Sequence, residues 1–256
     1  MKKPGPECEN CQILRRIRKY TKIDYTMALV GNPNVGKSTL FNFLTGMNVR
    51  VGNWAGKTVS KIEGFFEFKI QDQKYTIKII DLPGVYSILS FTPEEEVTRN
   101  FLLLGSYDIA IIILDATNLH KNLILVYQVF EITSKVILAL NLIDEAKRKG
   151  INIDIPKLEQ KLNVPIIPII ASTGYNVETL INQSIQIIQN KKKVEPIKYQ
   201  FPDKLQQIID ELQNDILTYY PELKNYPALR WIVLRILEGD KFIIELLKKK
   251  AIKVKT

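Results

Sequence analysis

Gly31-Asn32-Pro33-Asn34-Val35-Gly36-Lys37-Ser38, followed by Thr39, is the stretch whose reading decides the fold. It satisfies G-x-x-x-x-G-K-[ST], the phosphate-binding P-loop pattern. Before it, Thr26-Met27-Ala28-Leu29-Val30 is a short apolar run that reads as a buried strand. After it, Ser38 to Leu44 reads as the start of a helix. Strand, glycine loop and helix in that order separate a working loop from a chance match. Consecutive backbone N–H groups and a helix N-terminus then face a polyphosphate with donors and a positive dipole end. In such a loop Lys37 neutralises charge on the β- and γ-phosphates, and the Ser38 hydroxyl is a ligand for Mg²⁺.

Outward from the loop, strands and helices alternate, which predicts a mixed, mainly parallel sheet covered by helices on both faces. A polar, glycine-rich stretch over 46–60 follows the loop helix. Strands over 62–70 and 75–80 come next, joined as a hairpin by Gln71-Asp72-Gln73-Lys74. Thr92-Pro93-Glu94-Glu95 reads as a helix start, with Thr92 as N-cap and Glu95 closing a capping box. Further strands are expected over 109–114, 136–140 and 164–170, with the last helix of this part over 177–188. The expected organisation is a basic tail with a Cys-x-x-Cys over 1–25, a nucleotide-binding domain over 26–190, a linker over 191–200 and an all-α domain over 201–256. In the all-α part, Leu205, Ile208, Ile209, Leu212 and Ile216 make one apolar stripe; Leu229, Ile232, Val233, Ile236 and Leu237 make a second.

Three further segments sharpen the chemistry, each at the end of an expected strand. Asp81-Leu82-Pro83-Gly84 offers a carboxylate for Mg²⁺ and a glycine amide for a γ-phosphate. Asn141-Leu142-Ile143-Asp144 offers a carboxylate that accepts from the N1–H and 2-amino group of guanine. Adenine lacks those donors and would leave the acceptor unpaired. Ala171-Ser172-Thr173 offers a backbone amide for the guanine O6. The combined spacing over 26–190 resembles the small GTP-binding protein superfamily.

Finer detail narrows the resemblance. Gly31 to Asn42, then Val51-Gly52-Asn53-Trp54-Ala55-Gly56-Lys57-Thr58-Val59, then Asp81 to Ser87 resemble the ferrous iron transport protein B family. Tyr226 to Trp231 and Leu237 to Asp240 look like the helical domain that follows its GTP-binding domain. The resemblance implies a Mg²⁺-dependent, K⁺-stimulated GTPase beside a membrane domain that moves Fe²⁺, in the same or a separate chain, at the inner face of the cell membrane. It implies that Thr58 joins Mg²⁺ and meets the γ-phosphate, and that Asn34 places K⁺ beside the phosphates. Val85 stands where many GTPases carry a water-orienting glutamine, so slow intrinsic turnover is expected. The resemblance also implies switch segments over 48–60 and 81–96 that order around the γ-phosphate. Leu142 replaces a common lysine, Ala55 a usual proline, and Ile170 precedes Ala171 where serine is expected; modest affinity and fast GDP release follow.

Composition sets the remaining bounds. The 256 residues are 46% hydrophobic and carry a net charge of +9. The excess gathers at the two ends while the middle is near balance, which argues against a uniform nucleic-acid face. A regulatory GTP-binding module acting on ribosome, RNA or another protein stays open as an alternative, as does a homo-oligomer. No apolar run approaches the ~20 residues of a membrane span, and no signal peptide is visible, so a soluble, cytoplasm-facing chain is expected. Cys8 and Cys11 supply two ligands, short of a structural zinc set. His120, the single histidine, reads as a surface residue.

Overall fold

The computed structural model describes residues 22–46, 48–89 and 91–249. Cys8, Cys11, most of the basic tail and the lysines at 250, 253 and 255 lie outside the described residues. Seven strands form one sheet: β1 (Tyr25–Gly31), β2 (Val49–Asn53), β3 (Ser60–Ile70), β4 (Gln73–Asp81), β5 (Ile109–Asp115), β6 (Val136–Asn141) and β7 (Ile166–Pro168). Their spatial order is β2-β3-β4-β1-β5-β6-β7. β4, β1, β5, β6 and β7 pair in parallel, while β2–β3 and β3–β4 are antiparallel.

The central strands are apolar throughout because both faces are buried. Ala28 and Val30 point into one core; Met27 and Leu29 point into the other. The second core is covered by α1 (Lys37–Thr45) through Leu40 and Phe41, and by α6 (Val177–Ile188) through Leu180, Ile181 and Ile185. The first is covered by α2 (Pro93–Leu104) and α3 (Leu119–Ile132), through Leu102, Leu125, Val126, Val129 and Phe130. Short helices α4 (Ile143–Arg148) and α5 (Ile155–Leu162) lie between β6 and β7.

Beyond residue 200 the chain is helical: α7 (Asp203–Tyr219), a 3₁₀ turn (Pro221–Asn225), α8 (Leu229–Leu237) and α9 (Lys241–Lys248). Their apolar faces do not close a core of their own. Ile209, Ile216, Trp231, Ile232, Val233, Ile243 and Leu247 join the core that lies under α2 and α3. The segment over 191–200 is a packed strap rather than a free tether. Pro196 is buried, the Ile197 amide donates to the Leu162 carbonyl at 3.1 Å, and Lys198 donates to the Phe130 carbonyl. Arg230 of α8 pairs with Glu131 at the end of α3 and donates to the Tyr199 carbonyl, riveting strap, helices and sheet layer together.

Several elements differ from expectation. The stretch over 46–60 contains edge strand β2, paired with β3 from Val49↔Gly64 to Asn53↔Ser60. The β3–β4 turn is only Gln71-Asp72, with Gln71 in the left-handed region, and Gln73 and Lys74 belong to the ladder. In β7 only Ile166–Pro168 pair, because the chain turns away at once into the loop before α6. Thr92 does cap α2, accepting from the Glu95 amide at 3.2 Å. The Glu95 carboxylate, however, reaches back to the amide of Phe91 rather than that of the cap. On α7, Ile209 and Ile216 are buried, whereas Leu205 and Ile208 face outward.

Candidate functional site

The site lies where β1, β4 and β6 end, the edge at which parallel sheets present their loops. Gly31 closes β1 against β5; a Cβ there would stand 2.7 Å from the Ile113 carbonyl oxygen. The loop turns through two left-handed residues, Asn34 and Gly36. Gly36 has no alternative at φ +92, because a Cβ would also lie 2.2 Å from the Asn141 amide nitrogen. α1 begins at Lys37, so its free amides open towards the loop.

Lys37 is only 8% exposed. Its ammonium lies under Gly84, where a Cβ would be 2.9 Å away. The Ser38 hydroxyl donates to Asp81 Oδ2 at 3.1 Å. The other oxygen, Asp81 Oδ1, is buried and has no hydrogen-bond partner among the described residues. Burial pushes the Asp81 carboxyl up, opposed by Lys37 and by the Ser38 hydrogen bond. Burial pushes the Lys37 ammonium down, opposed by Asp81. Each charge thus lacks part of its compensation: Lys37 is short of an anion and Asp81 of a cation. A hydroxyl beside a carboxylate with an unused oxygen is a hard-oxygen donor set, and it fits Mg²⁺. Two backbone bonds pin the following segment to β1, Leu82 to the Leu29 carbonyl and Val85 to that of Gly31, both at 3.2 Å. The Val85 side chain is buried in the core.

At the other end of the site, Asn141 bridges two loops. Its Nδ2 donates to the Val35 carbonyl at 2.9 Å, and its Oδ1 accepts from the Ala171 amide at 2.9 Å. At 2% exposed, it is a strut between the P-loop and the loop after β7. The same bond occupies the Ala171 amide. Ser172 is exposed, and its amide has no partner among the described residues. Leu142 is left-handed at φ 62 and caps α4, which carries Asp144 in its first turn. Asp144 Oδ1 is buried and has no hydrogen-bond partner among the described residues, while Oδ2 lies 3.6 Å from Arg148.

The structure therefore brings Lys37, Ser38, Asp81 and Gly84 together, and ties them through Val35 and Asn141 to the Asp144 and Ser172 loops. Within the P-loop, Val35 is a buried apolar plug. Asn32 turns its side chain towards α3, with Nδ2 3.5 Å from the Lys121 carbonyl. Asn34 and Thr39 are exposed, and the Pro33 backbone lies against Gly84. Thr58 is not assembled with the rest. It is exposed between β2 and β3, and among the described residues no hydrogen bond joins it to Lys37, Ser38 or Asp81. That hairpin end instead meets α2: Trp54 packs edge-on to Phe101 at 5.3 Å, and Lys57 pairs with Glu96 at 2.8 Å. Phe101 carries no signal in the sequence beyond its place on an amphipathic helix. His120 is exposed at the start of α3.

A cavity of about 440 Å³ lies away from the P-loop, between α2 and α8–α9. Arg99, Arg235 and Lys241 on its walls are matched by Glu96, Glu238 and Asp240, so it is charge-balanced and unlike a phosphate site. Arg99 meets Asp240 there at 3.3 Å, and Asp240 also caps α9. Among the described residues no helix is long and apolar enough to cross a membrane.

Comparison with known proteins agrees with this geometry. Residues 25–184 match the family model for Ferrous iron transport protein B. The Fe(2+) transporter FeoB of Campylobacter jejuni is 39% identical over 206 residues, covering 78% of this chain and 33% of the transporter. The chain thus spans about a third of the length of such curated relatives, or less. The solved cytosolic domain of the T. maritima FeoB iron transporter in a GDP form superposes with a TM-score of 0.78 at 34% identity, over 92% of this chain and 89% of that one. Its GMPPNP form superposes with a TM-score of 0.77 at 34% identity, over 91% and 88%.

Proposed function

The chain belongs to the ferrous iron transport protein B family, and from that premise we propose that it binds GTP and hydrolyses it to GDP and phosphate, gating Fe²⁺ passage through a membrane permease domain. The observation that carries this reading is the pair of buried, partnerless carboxylate oxygens, Asp81 Oδ1 at the phosphate end and Asp144 Oδ1 at the base end. A buried acceptor without a donor is costly, about 1–3 kcal/mol, and a ligand that supplies one is favoured.

In this reading the phosphates lie along the amides of 31–39 and the N-terminus of α1, with Lys37 against the β- and γ-phosphates. Ser38, Asp81 and Thr58 would hold Mg²⁺, and Asn34 would hold K⁺; these cations would supply positive charge where negative charge gathers on the phosphate oxygens in the transition state. The Gly84 amide donates to the γ-phosphate. Asp144 accepts from the N1–H and 2-amino group of guanine, the Ser172 amide donates to O6, and Leu142 lines the base. A water attacks the γ-phosphorus in line and the bond to the β-phosphate bridging oxygen breaks. Because the Val85 side chain is turned into the core, it orients no water, and turnover without assistance is slow. The two segments over 48–60 and 81–96 tighten on the γ-phosphate and relax after its loss. α2 carries that change to α8 and α9 through Arg99, Asp240 and Tyr226, and onward to a permease at the inner face of the membrane.

Single-turnover hydrolysis with Mg²⁺, in K⁺ against Na⁺, tests the reading on wild type and Asn34→Ala. Acceleration by K⁺ that the substitution abolishes is the expected result. A rate indifferent to K⁺ in both proteins would remove Asn34 from the mechanism, and absence of GTP turnover altogether would sink the enzymatic reading.

A further inference from the structure

We propose that Trp54 and Lys57 are positioning residues that hold Thr58 away from the metal site, so that their release from α2 governs productive capture of GTP. The inference rests on the reading of Thr58 as a Mg²⁺ and γ-phosphate ligand. Three observations carry it. The first is local: the Trp54 amide donates to the Val59 carbonyl and the Lys57 amide to the Trp54 carbonyl, both at 3.0 Å. Thr58 sits inside that closed tip, so it goes where Trp54 goes.

The second is the dock itself. The Trp54 ring meets Phe101 edge-on, Phe101 stacks on Tyr107 at 5.7 Å, and Lys61 lies 5.1 Å from the Trp54 ring centre. Beside it, Lys57 and Glu96 form an ion pair with both side chains about one-third exposed. The third is that the dock is built to let go. The indole N–H of Trp54 is buried without an acceptor among the described residues, which offsets part of the aromatic gain. The ion pair is exposed enough to be weak. A contact of this size shifts a two-state equilibrium by about three- to tenfold, enough to bias a switch without freezing it.

The dock also joins the two nucleotide-sensing segments. Glu96 closes the second of them, and Phe101 lies one turn further along α2. Binding energy from a γ-phosphate would thus be spent first on prising Trp54 from Phe101. GDP, which offers Thr58 nothing, would leave the tip parked.

Tryptophan emission tests this directly. The chain holds two tryptophans, Trp54 and the buried Trp231, so the Trp54→Phe spectrum isolates the Trp54 contribution. Mg²⁺ with GMPPNP is expected to shift Trp54 emission to the red, whereas Mg²⁺ with GDP leaves it in place. Phe101→Leu removes the dock without replacing a residue of either switch segment. It should emit red-shifted before any nucleotide is added and bind GMPPNP about three- to tenfold tighter, with GDP affinity unchanged. Lys57→Gln, a surface change that cannot disturb folding, should tighten GMPPNP about twofold. Identical Trp54 emission with both nucleotides overturns the proposal, as does wild-type GMPPNP affinity in both variants. Failure of the underlying reading has its own signature. A Thr58→Ala protein that hydrolyses GTP at the wild-type rate removes Thr58 from the metal site, and the latch with it. A slow Thr58→Ala protein with an unmoved Trp54 overturns the latch alone.

Discussion

Replacing Asn141 by alanine is expected to destabilise the nucleotide-free protein by about 2–5 kcal/mol. The side chain is 2% exposed and makes two bonds of 2.9 Å, one to each of two loops. Its loss orphans the Val35 carbonyl and the Ala171 amide, both on buried residues. Each unpaired buried group costs about 1–3 kcal/mol, less where water enters. Against a total stability of about 5–15 kcal/mol this is a large loss. Urea unfolding would read it as a lower midpoint at unchanged slope. Asn141→Asp keeps the acceptor for Ala171 but sets a carboxylate oxygen against the Val35 carbonyl. It should be no more stable than the alanine variant at neutral pH, and should recover as acid restores a donor. Affinities for GDP and IDP should fall together in Asn141→Ala, because a strut holds the pocket without reading the 2-amino group. A loss under about 1 kcal/mol would refute the strut.

Gly84→Ala places a methyl 2.9 Å from the Lys37 ammonium and 3.1 Å from Pro33 Cα. Displacing either should slow single-turnover GTP hydrolysis by about 10- to 100-fold with a smaller loss of GDP affinity; an unaltered rate would show that the segment yields freely. Tyr226 donates to the Leu103 carbonyl at 2.8 Å, and burial pushes its phenol up to about 12. The folded state therefore holds this proton more tightly than the unfolded chain, whose phenol titrates near 10. Stability should be level below about pH 10 and fall as pH rises towards about 12. Tyr226→Phe should lose about 1 kcal/mol at pH 8 and show a shallower alkaline fall, measured by urea midpoints across pH; an equal fall in both proteins would remove Tyr226 as its source.

Much of this was legible in the residues because local pattern and tertiary demand coincide. The runs that became β1, β5 and β6 are continuous apolar stretches buried on both faces, and Gly36 answers a left-handed turn that tolerates little else. β2 was hidden for the opposite reason. Four of its five residues are exposed, so no burial pattern marks them and only pairing with β3 makes the strand. α4 and α5, at 6 and 8 residues, are too short for periodicity to stand out. The strut role of Asn141 joins residues 106 and 30 positions apart, which no local reading reaches. Thr58 matches its motif yet is exposed and, among the described residues, makes no hydrogen bond to Ser38 or Asp81, because a motif fixes residue type and not position.

The strap over 191–200 has a consequence for anyone cutting this chain into pieces. Composition invites a boundary there, since a lysine run followed by proline reads as a hinge. Severing it would strip Lys198 and Arg230 from Glu131, stranding a carboxylate whose side chain is 8% exposed. It would also lay bare the outer face of α3, where Tyr127 and Phe130 share a core with Trp231 and Ile232. A fragment ending near residue 190 would carry a wet apolar flank and a tendency to self-associate. Dimers seen with such a fragment would report the scissors, not the biology.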